Sequence, residues 1–188
     1  MSGRKPVEPL TFNVAGLLGE SPGSTREYPL AGITIPLEDG RRLADPIEGR
    51  LRLARTNRGV LVRAALTTAL EGECGRCLRP IVVPLALQID EEVLPSIDLV
   101  SGLAVDPAAE PDVARLNDHH ELDLETLVRE AIDLAEPIAP VCRPDCPGLC
   151  AVCGQPLDEG PHDHPDEPID PRLAALQSFR VDGPPETG

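Results

Sequence analysis

Residues 50–70 read RLRLARTNRGVLVRAALTTAL, and this stretch decides the fold. Leu51 and Leu53 alternate with Arg50 and Arg52. Asn57-Arg58-Gly59 reads as a turn, and beyond it Val60, Val62, Ala64, Leu66, Thr68 and Leu70 fall on one side of the chain. Successive side chains of an extended strand point to opposite faces, so a period of two with one apolar side describes antiparallel strands covering a core. The period returns downstream, where Ile81, Val83, Leu85, Leu87 and Ile89 share a face. Pro84 brings no backbone donor to that strand, which places it at a sheet edge or a bulge.

Working outward, residues 12–40 alternate short apolar runs with turn residues, as in FNVAGLLGESPGS and YPLAGITIPLEDG. They read as short strands or extended segments, with turns at Glu20–Thr25 and Glu38–Gly40. On the other side, residues 95–121 read as an acidic loop. Asp123 is then placed to cap a helix on which Leu124, Leu127, Val128, Ala131, Ile132 and Ala135 recur at helical spacing, and Pro137 ends it. Asp170-Pro171 opens a shorter helix, since an N-cap residue precedes a proline at the first helical position. The expected class is α+β: an antiparallel meander over about residues 10–94, a main helix over about 123–135, a Cys/His loop, and a short final helix over about 171–180. Residues 122–180 are expected to pack as one domain with the β region of residues 1–94, leaving 181–188 as a frayed tail.

Charge is unevenly distributed along the 188 residues. Residues 1–89 carry 12 basic and 9 acidic groups, net +3, and residues 90–188 carry 5 basic and 23 acidic groups, net −18, which sum to −15. Such a chain is repelled by nucleic acid over most of its surface, so any RNA contact falls to the N-terminal half. There Arg50, Arg52, Arg58, Arg63, Arg76 and Arg79 are candidate contacts for RNA or a partner. The acidic half is suited to a basic protein partner. Only Phe12, Tyr28 and Phe179 are aromatic, which argues against base stacking on single strands. No apolar run is long enough to span a membrane, and MSGRKPVEPL lacks the apolar core of a secretory signal. The expected location is the cytoplasm, where thiols stay reduced and six cysteines are better read as ligands than as disulfides.

The cysteines fall in two places. Cys74 and Cys77, in ECGRCL, lie between two predicted strands. Cys142, Cys146, Cys150 and Cys153 lie in CRPDCPGLCAVCGQPLD, followed by His162 and His164 in GPHDHPD. Pro140, Pro144, Pro147 and Gly148 exclude a helix there, so the segment is a folded-back loop without a hydrophobic core of its own. Bound metal can supply the missing folding energy, roughly 10–16 kcal/mol for zinc in small peptides. Six cysteines and two histidines suffice for two tetrahedral zinc sites, or for one with the remainder unused. Spacing alone does not say which ligands share an ion. A closed set of four leaves no open position for water, and the role is then structural.

The string CRPDCPGLCAVCGQPLD, the later IDPRLAAL and the CGRCL pair after an extended strand together resemble the bacterial YceD-like family, described as large ribosomal RNA subunit accumulation proteins. The resemblance runs from about Leu51 to Phe179. Many members of that family carry a Cys-x-Cys pair where this chain has His162 and His164, an exchange that keeps ligand capacity. The resemblance implies a role in 23S rRNA accumulation or processing and in large-subunit biogenesis, with ribosome-assembly components or a basic ribosomal protein as partners. It implies no catalytic mechanism and no small-molecule substrate. Two other classes stay in view. One is a thiol–disulfide redox protein using Cys74 and Cys77, although thioredoxin-type motifs open a helix in a βαβ setting. The other is a zinc-stabilised interaction scaffold unrelated to ribosomes. A zinc hydrolase would need an open coordination position and a base, for which only Asp163, Asp166 and Glu167 are at hand; no phosphate-binding loop or nucleophile elbow is present.

Overall fold

The computed structural model describes residues 10–98, 101–106, 108, 110–111, 113–164 and 172. The chain divides into two compact units, Met1–Cys146 and Pro147–Gly188. The first holds all the regular elements among the described residues: β1 (Thr11–Asn13), α1 (Ala15–Leu18), β2 (Thr25–Ile33), β3 (Leu43–Arg55), β4 (Val60–Glu73), β5 (Pro80–Val93), β6 (Glu121–Asp123) and α2 (Leu124–Ala135). The boundary therefore groups α2 and the Cys142–Cys146 segment with the sheet and starts a new unit at Pro147, within the stretch that the sequence treats as one. The final helix expected over about 171–180 and the tail 181–188 lie outside the described residues.

Strands β2 to β5 form an antiparallel meander in the order β2-β3-β4-β5. The period-two pattern is the cause. Leu51, Leu53, Val60, Val62, Ala64, Leu66 and Leu70 are buried, while Arg50, Arg52, Arg63, Ala65 and Thr67 are exposed on the opposite face. Thr68, the polar member of the inward row, is buried, and its hydroxyl donates to the Asp45 carbonyl at 2.7 Å, where β3 departs from regular register. A buried hydroxyl is thereby satisfied. Pro84 lies opposite Ala69 on β5, an edge strand of the sheet, so its missing donor disrupts no central ladder. Gly49 sits opposite Leu66 with φ +149°, and a Cβ there would lie 2.2 Å from the Ala65 carbonyl oxygen. Gly49→Ala is expected to lower stability by about 3 kcal/mol, read from urea unfolding, because the β3–β4 ladder must separate to admit the methyl group.

The N-terminal segment departs from the expected meander. β1 pairs with β6 rather than with β2, with Phe12 opposite Leu122, and a single helical turn, α1, follows it. Four-residue helices carry no readable period, which is why α1 reads as extended in the sequence. α2 forms as its pattern indicates: the Asp123 carboxylate accepts from the backbone N–H groups of Glu125 and Thr126, and Leu124, Leu127, Val128, Ala131 and Ile132 are buried. Its last turn has no basic residue. Arg41, from the β2–β3 connection, supplies the cation instead, with Nη1 at 2.6 Å from Asp133 and 3.0 Å from Glu136, near the negative end of the helix. No helix among the described residues is long and apolar enough to cross a membrane.

Candidate metal centres

The eight sequence-nominated ligands separate into two sets of four. Cys74, Cys77, Cys142 and Cys146 form one, wholly within the first unit. Cys150, Cys153, His162 and His164 form the other, wholly within the second. In each set the ligand atoms all lie within 4.8 Å of one another.

The first set is built where the β4–β5 hairpin meets the segment after α2. The Cys74 N–H donates to the Arg79 carbonyl and the Leu78 N–H to the Cys74 carbonyl, both at 2.9 Å, with Leu78 at φ +58°. This tight turn aims both sulfurs to one side. A left-handed Leu78 costs roughly 1–2 kcal/mol. The second cysteine pair is delivered by backbone and side-chain bonds together. The Gly75 N–H donates to the Pro140 carbonyl at 2.8 Å, and Arg76 Nη1 donates to the carbonyls of Pro144 (3.2 Å) and Cys146 (3.0 Å). Arg76 is thus a positioning residue that holds the loop carrying Cys142 and Cys146. Arg76→Ala is expected to weaken metal retention at this centre by about 10–100-fold, as loss of groups that orient ligands commonly does. Competition with a chromophoric chelator reads it.

The sulfur spacing is informative. Cys74 Sγ lies 3.8 Å from Cys146 Sγ, and Cys77 Sγ lies 3.8 Å from Cys142 Sγ. A disulfide needs about 2.05 Å, whereas four sulfurs placed about 2.3 Å from a central ion at tetrahedral angles lie about 3.8 Å apart. The Cys142 N–H donates to Cys74 Sγ at 3.4 Å. That bond, followed by one from the Cys77 amide, brings the Cys74 thiol down to about 6. Desolvation, reinforced by the neighbouring thiols, pushes Cys142 up to about 12. A cation at the centre favours the thiolate form of all four.

The second set repeats the turn. The Cys150 N–H donates to the Gln155 carbonyl at 2.8 Å and the Gly154 N–H to the Cys150 carbonyl at 2.9 Å, with Gly154 at φ +70°. These bonds match those of the Cys74–Arg79 turn one for one, glycine replacing Leu78 at the left-handed position. The backbone N–H groups of Cys153 and Val152 lower the Cys150 thiol, as amides lower Cys74. His162 Nδ1 lies 3.5 Å from Cys153 Sγ, close to the roughly 3.6 Å edge of a mixed sulfur–nitrogen tetrahedron. Its Nε2 lies 3.0 Å from the Pro156 carbonyl. With the proton on Nε2 donated to that carbonyl, Nδ1 keeps its lone pair for a metal, the arrangement usual for ligand histidines. His164 Nε2 is buried and has no hydrogen-bond partner, a costly position for a polar atom unless an ion satisfies it.

The other nominated residues stand elsewhere. Arg52 lies 3.9 Å from Glu27, and Arg63 lies 3.1 Å from Asp90. Arg58 clasps both carboxylate oxygens of Glu110 at 2.6 and 2.7 Å. Arg50 is exposed on the same sheet face as Arg52, and Arg79 is bound in part through its backbone to Cys74. What sequence reading does not reveal is that Cys142 and Cys146 face the distant Cys74–Cys77 turn rather than the adjacent Cys150–Cys153 turn.

A four-stranded meander with packed helices in one unit, and in each unit a turn of the same hydrogen-bonding pattern that contributes to a set of four Cys/His side chains, defines a small α+β protein whose Cys/His clusters can hold metal ions. The family described as large ribosomal RNA subunit accumulation protein YceD matches residues 62–180, and the chain belongs to that family. It is also similar to uncharacterized proteins of Mycobacterium tuberculosis and Mycobacterium bovis, 36% identical over 179 residues, covering 92% of this chain and 82% of each relative. A Mycobacterium leprae protein is 32% identical over 192 residues, covering 98% and 83%. No solved structure matches the chain significantly.

Proposed function

We propose that this protein is a non-catalytic, zinc-binding cytoplasmic factor that supports 23S rRNA accumulation and processing during large ribosomal subunit biogenesis. The family's description supports the ribosomal role. The observation that supports the structural reading is the separation of eight candidate ligands into two sets of four, each with its ligand atoms within 4.8 Å of one another. Four protein ligands around zinc leave no position for a substrate or an activated water, so the ions hold loops in place rather than perform chemistry. Partners are ribosome-assembly components or a basic ribosomal protein.

Deleting the gene is expected to lower the ratio of 23S to 16S rRNA, with restoration by the wild-type copy and not by a Cys74→Ser/Cys150→Ser copy. An unchanged ratio on deletion contradicts the ribosomal reading. The redox alternative at Cys74 and Cys77 is tested by thiol titration. Zinc-held cysteines react slowly until a chelator is added, and fast reaction of two thiols in the metal-loaded protein would favour redox chemistry instead.

A further inference from the structure

We propose that the groove between the end of β5 and the start of α2 is the docking site for an extended, lysine- or arginine-bearing segment of a basic protein; this rests on the ribosomal reading above and names where such a partner binds. Successive residues of a strand face opposite ways. Along the core-facing row of β5, Leu85, Leu87, Ile89 and Val93 are buried, and Glu91, between the last two, is exposed. It lines a groove of about 380 Å3 together with Thr126, Leu127 and Glu130 of α2. A carboxylate in an otherwise apolar row is a poor device for holding a sheet. Neither Glu91 nor Glu130 has an ion-pair partner among the described residues.

The lining fits a cation. Glu91, Asp123 and Glu130 set three carboxylates against one guanidinium, that of Arg115. The Arg115 side chain is 14% exposed, with Nε and Nη2 buried and Nη2 4.0 Å from Glu110, so its charge lies beneath the surface that the carboxylates present. Arg58 and Glu110, which clasp each other, leave the balance unchanged. Asp123 is committed to the helix cap, which leaves Glu91 and Glu130, one on each wall, to meet a partner. The groove is lined as well by the buried apolar residues Val93, Leu122 and Leu127. Lysine and arginine lay their methylene stems along apolar surface and carry the charge beyond it, so one such side chain satisfies both parts of the lining. Hydrogen bonds between a cation and a carboxylate are roughly twice as strong as neutral ones. All three carboxylates belong to the half of the chain whose net charge is −18, and the same lining repels an RNA backbone.

The test uses the full-length, zinc-loaded chain and fluorescence anisotropy with a fluorescein-labelled peptide of alternating lysine and alanine at low salt. A peptide with glutamate in place of lysine is the control and is expected not to bind. E91Q/E130Q is expected to bind the lysine peptide at least about tenfold more weakly than wild type. E71Q/E73Q changes the net charge equally at the other end of the β4–β5 ladder, opposite Val82 and Pro80. It is expected to stay within about twofold of wild type. Circular dichroism and zinc content confirm that each variant is folded. Equal binding by E91Q/E130Q and wild type overturns the proposal. So does an equal loss in E71Q/E73Q, which would mean attraction by net charge alone, or a wild-type chain that ignores the lysine peptide. Each of these leaves the ribosomal reading intact if gene deletion still lowers 23S rRNA. An unaffected 23S level removes that reading, while the loss of peptide binding in E91Q/E130Q would still establish the groove.

Discussion

Replacing Cys74 with serine is expected to remove one zinc ion per chain and to destabilise the first unit by on the order of 4–5 kcal/mol, among the largest effects a single substitution produces. The reason lies in what the centre joins. Cys74 is fully buried and Cys146 nearly so. The Cys142–Cys146 segment is hydrogen-bonded to the hairpin only through Gly75, Arg76 and the Cys142 amide among the described contacts, and an ion would add the remaining tie. Serine is a poor zinc ligand, so the other three sulfurs lose the ion and remain as clustered thiols. The Leu/Val core beneath the sheet does not depend on the ion, so cooperative unfolding persists at a lower urea midpoint. A midpoint unchanged after loss of the ion would mean that the metal contributes nothing to this unit.

Chelation is expected to affect the second unit most. Among its described residues only Gly148 and Cys150 are buried, so those residues form no hydrophobic core of their own. Its shape rests on the Cys150–Gln155 turn, the Leu149–Pro156 bridge, the Leu157 bond to Gly148 and the histidine contacts. A loop of this kind without metal cannot offset its conformational entropy. Removing zinc is expected to speed cleavage after Glu159 by endoproteinase Glu-C by at least about a hundredfold, as local opening becomes populated. The sheet should keep its circular dichroism signal. Cys150→Ser should reproduce the cleavage without chelator. Resistance of the apo-protein at Glu159 would contradict a metal-held second unit.

The sheet was legible because Leu51–Leu53, Val60–Thr68 and Val83–Ile89 alternate buried with more exposed positions, and α2 because Asp123 and its apolar stripe obey the helical period. β1 and α1 were not legible. Three and four residues are too few for a period, and what fixes them is remote: the Leu122 register for β1, and for α1 the Arg55 side chain, which donates to the Leu18 carbonyl. The same division runs through the site. All eight candidate ligands could be named from residue type, because clustered cysteines with nearby histidines are better read as ligands than as disulfides in a reducing compartment. Their partition could not. It depends on the Gly75–Pro140 bond and the reach of Arg76, which join positions far apart in the chain and leave no local mark. The arginines show the limit most clearly: composition gathers them into one basic stretch, while the structure gives Arg76 to the metal loop, Arg58 to Glu110, and only Arg50, Arg52 and Arg63 to one exposed face.

Zinc stoichiometry, measured by mass spectrometry on reduced wild-type protein and on the Cys74→Ser and Cys150→Ser variants, tests the central claim most directly. Two independent closed centres require two ions in the wild type and one in each variant, with the Cys150→Ser protein keeping the urea midpoint of its sheet. One ion in the wild type that both variants lose, or no ion in protein kept reduced throughout, would contradict the account.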